Sequence, residues 1–381
     1  NKTAQGNQDS NSIGDFYYEP PTDFLALCTS NLPDPAVVPS EHFNTVTYTG
    51  TENASVHGAV TGVGFQPDMI WFKNRNFSYN NAIYDALRGT NSYLVTNSTG
   101  TEVNPPAGKD LTSFDSDGFS LGTSWGAITC GKEGSTFRTY VAWNWKANGA
   151  GVSNTNGTIA STVSANADAG FSIVSYTGTG ANATVGHGLA KKPNIFMLKG
   201  RNDTPRNWRV YSDTIGATKH LYLNTTASEQ VSSTQFNNTE PTSSVFTIGS
   251  HGGVNTSTKD YIAYCFHSVA QYSKVFSYTG NGSTDGTFVY CDFRPKYVML
   301  KASSISGEHW WLFDTERDTY NVMNSRLAAS ESAEEKYTVD FIDVTSNGFK
   351  LRTSSVMANS SGATYIGIAF AELPAKYNNA R

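Results

Sequence analysis

Short apolar runs that alternate in steps of two, broken by Gly, Asn, Ser and Thr, set the pattern of this chain. From Tyr140 the bulky positions are Val141, Trp143 and Trp145, with Ala142 and Asn144 between them. From Tyr261 they are Ile262, Tyr264 and Phe266 around Ala263 and Cys265, and from Tyr365 they are Ile366, Ile368 and Phe370 around Gly367 and Ala369. Period two predicts strands, because successive side chains of a strand point to opposite faces. The bulky face is expected to fill the core of its own domain, and the small face to admit a close neighbour.

Other rungs recur with that strand. Pro67, Pro193 and Pro295 each open an apolar run, Met69 to Phe72, Ile195 to Leu198 and Tyr297 to Leu300, closed by Lys73, Lys199 and Lys301. Proline has no N–H to give a ladder, so it suits a strand's start; the closing lysine reads as the chain's return to water. Upstream stands a Tyr-Thr-Gly step at Tyr48, Tyr176 and Tyr278, and downstream Phe119, Phe246 and Phe349. A ladder repeated three times predicts an all-β protein of three tandem β-sandwich (jelly-roll/SPRY-like) domains.

The boundaries follow from the rungs. Residues 1–42 match none of them and end in a Pro-rich stretch; copy one spans 43–147, copy two 171–270 and copy three 271–381. Between the first two, 148–170 is almost wholly Gly, Ser, Thr, Asn, Ala and Val and reads as a linker. Copies two and three are joined by a few residues, so they are expected to form one rigid unit with copy one hinged more freely. Ser325 to Lys336 is the one stretch with a weak helical pattern.

Composition narrows the function. A net charge of −5 without a basic run argues against a nucleic-acid surface, and no apolar segment is long enough for a membrane helix. The four cysteines share no rung and no metal spacing, so buried free thiols are expected and no metal or other cofactor. His187 and His251 sit among turn glycines, Asp115 to Gly118 reads as a β-turn more than half a calcium loop, and Glu331, Glu334, Glu335, Asp340 and Asp343 read as a solvated face. No catalytic constellation emerges, and the chain is expected not to be an enzyme. Trp208 and Trp310 lie at one spacing from their prolines, where copy one has Ala82, and Trp311 adds a neighbouring ring. Core packing is the simpler account of such rings. As candidate glycan or receptor contacts they are Trp208, Trp310, Trp311 and Tyr79, the last in an Asn-rich turn; Asn378-Asn379 is a second candidate tip.

Gly14-Asp15-Phe16-Tyr17-Tyr18-Glu19-Pro20-Pro21, followed by Phe24-Leu25-Ala26-Leu27-Cys28, resembles the exit from a SPRY-type β-sandwich in tailed-bacteriophage virion proteins. Ser116-Asp117-Gly118-Phe119, Tyr140-Val141-Ala142-Trp143-Asn144-Trp145-Lys146, Gly186-His187-Gly188-Leu189 and the ending Tyr377 to Arg381 resemble the uncharacterised repeat domain that follows it there. The resemblance implies that 1–42 is the remnant of a preceding SPRY-like domain, and that the chain is a virion protein located on the outer surface of the particle. A tail fibre or spike for host adsorption is the expected role, with a capsid decoration protein or head fibre as the alternative. Its expected partners are copies of itself, a trimer foremost, other virion proteins and a host-surface glycan, without nucleic acid or membrane insertion. Because Asn1 is not Met, the chain is expected to be the processed or ordered part of something longer.

Overall fold

A computed structural model describes residues 3–31, 35–126 and 129–373. The first set of strands runs β1 (Phe43–Thr49), β2 (Gly58–Thr61), β3 (Met69–Asn74), β4 (Ala82–Asp85), β5 (Gly89–Val95), β6 (Leu111–Asp115), β7 (Gly118–Leu121), the short β8 (Lys132–Glu133) and β9 (Thr136–Phe137), and β10 (Thr139–Trp145). They form a five-stranded antiparallel sheet in the order β1-β10-β3-β4-β5, faced by the three-stranded sheet β2-β7-β6. The small face of β10 explains the sandwich: Ala142 lies with Val60, Phe72 and Phe119 in a core between these two sheets.

The second set is β11 (Val152–Asn154), β12 (Ser161–Asn166), β13 (Phe171–Thr177), β14 (Ala183–Gly186), β15 (Ile195–Gly200), β16 (Arg209–Ser212), β17 (Lys219–Tyr222), β18 (Gln230–Val231), β19 (Val245–Ile248) and β20 (Asp260–Phe266), with one-turn helices α1 (Ser233–Phe236) and α2 (Gly252–Asn255). The third is β21 (Ser273–Thr279), β22 (Phe288–Tyr290), β23 (Pro295–Ala302), β24 (Trp311–Asp314), β25 (Leu327–Ala328), β26 (Ile342–Thr345), β27 (Gly348–Leu351) and β28 (Thr364–Ala371). Both rebuild the first sheet order, as β13-β20-β15-β16-β17 and β21-β28-β23-β24-β25, and are faced by β14-β19 and by β22-β27-β26. The protein is all-β, as expected. Tyr48, Tyr176 and Tyr278 serve one purpose in the three units. Each stacks on the tyrosine that opens the partner strand, at 5.2, 5.2 and 5.0 Å between ring centres. Each also donates its hydroxyl to a backbone carbonyl outside the sheets, of Thr129, Val254 or Ala358, at 2.6 Å.

Several expectations need correction. The bulky strand faces do not fill their own sandwiches. Trp143, Tyr264 and Ile368 point the other way, into one cluster shared by all three units, together with Trp71, Met197 and Met299. The sandwiches keep the small face because large partners cross it: a Cβ at Gly367 would come within 2.6 Å of the Phe276 ring. Trp145, Phe266 and Phe370, equivalent in register, meet in a triangle with ring centres 6.3, 5.8 and 5.7 Å apart. Copy one is therefore packed against copies two and three rather than hinged. The stretch 148–170 is not a free linker either, for it supplies β11 and β12, and β12 pairs with β13 along Ser161–Asn166. Its Ser, Thr and Val suit a half-exposed strand, and small polar composition alone does not separate the two. Ser325 to Lys336 holds β25 and no helix.

Candidate functional site

The seams between units hold the residues that looked most like chemistry. Lys73, Lys199 and Lys301 are buried, contrary to the reading that they return the chain to water. Each ammonium donates to a carbonyl in the turn of its own unit: Tyr79 O at 3.3 Å, Arg206 O at 2.5 Å, and Glu308 O. Each also reaches a carbonyl of another unit, Lys73 to Glu331 O at 3.1 Å, Lys199 to Thr99 O at 2.8 Å and Lys301 to Thr226 O at 3.1 Å. The first unit thus holds the third, the second the first, and the third the second, so the arrangement is cyclic. Backbone bonds repeat that closure, from Glu102 N to Arg201 O, Glu229 N to Ser303 O and Glu335 N to Arg75 O, at 2.8, 2.8 and 2.7 Å. Burial pulls Lys73 down to about 7 and Lys199 and Lys301 down to about 8.

Two of the candidate tryptophans, Trp208 and Trp310, lie in the same seams, whereas Trp311 is buried in the third unit's own sandwich core. Trp208 and Trp310 have no exposed surface and Trp311 keeps 4%, so none presents a ring to a ligand. Trp208 Nε1 donates to Val95 O at 3.0 Å and Trp310 Nε1 to Tyr222 O at 2.8 Å, each across a seam. Strand register corrects the match to copy one. Ala82, Arg209 and Trp311 are the equivalent positions, so Asn81, not Ala82, answers to Trp208 and Trp310. Asn81 Nδ2 makes the same contact, to Ala328 O at 3.1 Å. Beneath these bonds, Asp85 and Arg88 form a buried ion pair at 2.6 Å, and Tyr264 of the second unit joins both, donating to Asp85 at 2.7 Å and accepting from Arg88 at 3.0 Å. Asp314 and Arg317 repeat the pair at 2.6 Å, with Trp143 Nε1 of the first unit donating to Asp314 at 2.9 Å. Ser212 and Ile215 stand at the third such place, where the facing strand offers Ile368 and no donor, and Ile215 packs into the shared core.

The acidic stretch is not all a solvated face. Glu335 is buried and bridges Arg317 at 2.5 Å and Arg75 at 2.9 Å; burial pushes its carboxyl up, but the two guanidiniums hold it below the usual range. His187 accepts Leu189 N, and His251 accepts Gly253 N at the start of α2, as turn histidines do. Asp115 to Gly118 makes the β6–β7 turn, and no group of three metal-binding side chains occurs among the described residues. Cys130, Cys265 and Cys291 are buried free thiols, whereas Cys28 is exposed; burial pushes the Cys130 thiol up to about 11 and Cys291 up to about 12.

Tyr79 lies on a polar cleft of about 400 Å³ lined also by Asn53, Ser124 and Arg138. Its hydroxyl is bonded to Glu133, and the Arg138 guanidinium sits 4.6 Å from the ring centre, so one face of the ring is already covered. Asn378-Asn379 falls outside the described residues.

A different aromatic pair is open. Val60, Val185 and Val289 are equivalent, each paired with the phenylalanine of its unit: Phe119, Phe246 or Phe349. On either side of Val289 stand Phe288, 45% exposed, and Tyr290, 56% exposed. The same places hold Ala59 and Thr61 in the first unit and Thr184 and Gly186 in the second. Register sets out the outer face of the third unit as two rows across β22, β27 and β26: Phe288, Lys350 and Asp343, then Tyr290, Gly348 and Thr345. The signal in the sequence is the alternation Phe288-Val289-Tyr290; the spacing from Tyr-Thr-Gly differs in the three units, so register alone aligns the pair.

A family model described as a domain of unknown function, DUF7483, matches residues 38–374. The chain belongs to this family. Its match starts just ahead of β1 and crosses all three units, as does the shared core. No curated protein matches the chain.

Proposed function

We propose that this protein is an outer structural component of a bacteriophage particle, a tail fibre or spike that presents a binding surface to the host rather than an enzyme. The observation that carries this reading is the cyclic closure. Lysines, tryptophans and Asp–Arg pairs of the kind that elsewhere serve ligands are here consumed by contacts between units. A body held by a shared core and three cross-linked seams resists shear, as a displayed part must, and its outward faces are left for recognition. The virion setting rests on the resemblance of Gly14 to Cys28 and Tyr140 to Lys146 to phage virion proteins. The homotrimer belongs to the same proposal, with one change: its contacts use outer faces, because the bulky strand faces are buried within the chain. Immunogold labelling of intact particles tests the location, and a label on the capsid lattice instead of the tail favours the decoration reading. Purified protein is expected to block phage attachment to its host; unaltered attachment in its presence overturns the adhesive role.

A further inference from the structure

We infer that the outer face of the third unit binds a neutral oligosaccharide along Phe288 and Tyr290. This gives the adhesive part of the proposed function its ligand and rests on that reading. Two residues apart on one strand, the rings are spaced by about 7 Å, on a strand that pairs only with β27 and so borders solvent. Two clefts share residues with this face or with the ion pairs on it. One, of about 330 Å³, is lined by Thr284, Asp285, Asp340 and Arg352; the other, of about 360 Å³ and mixed in character, by Ser268, Val269, Ala270, Lys274, Tyr290 and Asp292.

Flat rings cover the apolar faces of pyranoses while carboxylates and amines take their hydroxyls. Charge selects the class. Asp285 pairs with Lys350 and Asp343 with Arg352, so the face offers hydrogen-bonding groups without a cationic field for a polyanion. Internal packing explains one ring in part, since Phe288 leans over Gly348, to 3.1 Å from where a Cβ there would sit. It does not explain Tyr290, whose hydroxyl donates outward to Asp292 at 2.8 Å. The other two units lack both rings.

The intact purified chain is assayed against an array of neutral oligosaccharides (glucans, galactans, mannans and N-acetylglucosamine oligomers) with uronic-acid and sialylated oligomers beside them, and hits are titrated by calorimetry. Binding to a neutral oligosaccharide is expected, weakened about tenfold by Phe288→Ala and by Tyr290→Ala, with no change in Thr184→Ala. Unaltered melting of the variants shows that the loss is local. Binding confined to acidic oligomers, no binding at millimolar ligand, or binding untouched in the double variant overturns the inference. Because no particle or host enters the assay, its failure leaves the virion location standing, and failure of that location leaves the saccharide result intact.

Discussion

At the scale of single residues, burial turns ordinary side chains into structural locks. A lysine amine titrates near 10.5 in an unfolded chain, whereas burial holds Lys73 at about 7 and Lys199 and Lys301 at about 8. Between the folded and unfolded values the unfolded state carries more protons, so stability rises with pH across that window, and the penalty is complete below about pH 7. Denaturant titrations at several pH values are expected to show that rise, and Lys73→Met to reduce its slope; an unchanged slope would mean that Lys73 titrates normally. Trp208→Ala removes a seam indole together with its bond to Val95 O, so a loss of about 3–5 kcal/mol is expected. Tyr264→Phe keeps the volume but strips the hydroxyl from the Asp85–Arg88 pair, for about 1–3 kcal/mol. A cost for Tyr264→Phe as large as that of Trp208→Ala would show that volume is not what the shared core depends on.

At the scale of elements, the segment 148–170 is the sharpest contrast between composition and structure. β12 pairs with β11 on one side and β13 on the other, so the amides of Thr162 to Ala165 are expected to exchange as slowly as those of β13. Fast exchange there would restore the linker. Much of the strand pattern was legible beforehand: the proline-led runs became β3, β15 and β23, and the Tyr-led runs became β10, β20 and β28. Which face of those strands looked where was not legible, because period two marks two faces without saying what covers each. Lys73 was misread for a related reason, since a lysine after an apolar run is usually solvated, and what makes its burial tolerable is a pair of carbonyls, Tyr79 O nearby and Glu331 O far along the chain. Asn81 was missed because its turn is one residue shorter than the turns before Trp208 and Trp310, which displaces any count made from the prolines. Phe288 and Tyr290 were in plain view as an alternating pair around Val289, but their outward direction depends on the β22–β27 pairing.

For the whole molecule, one shared core predicts one cooperative transition. Calorimetry is expected to give a single peak for the strand-bearing region, with calorimetric and van't Hoff enthalpies in agreement. Three resolved peaks would mean that the seams contribute little and the units melt on their own. A threefold arrangement exists within this one chain, whose units are free to differ, and one of them alone carries the Phe288–Tyr290 pair.

The closure of the third unit on the first also sets an order of events during synthesis. Lys73 meets Glu331 across 258 residues of sequence, so while the ribosome is still making the third unit, Trp143 and Trp145 lack the cover that Tyr297 and Phe370 give them. A nascent chain in that condition is a natural client for a holding chaperone, and any message truncated before Pro295 leaves a product whose widest apolar face never finds its cover.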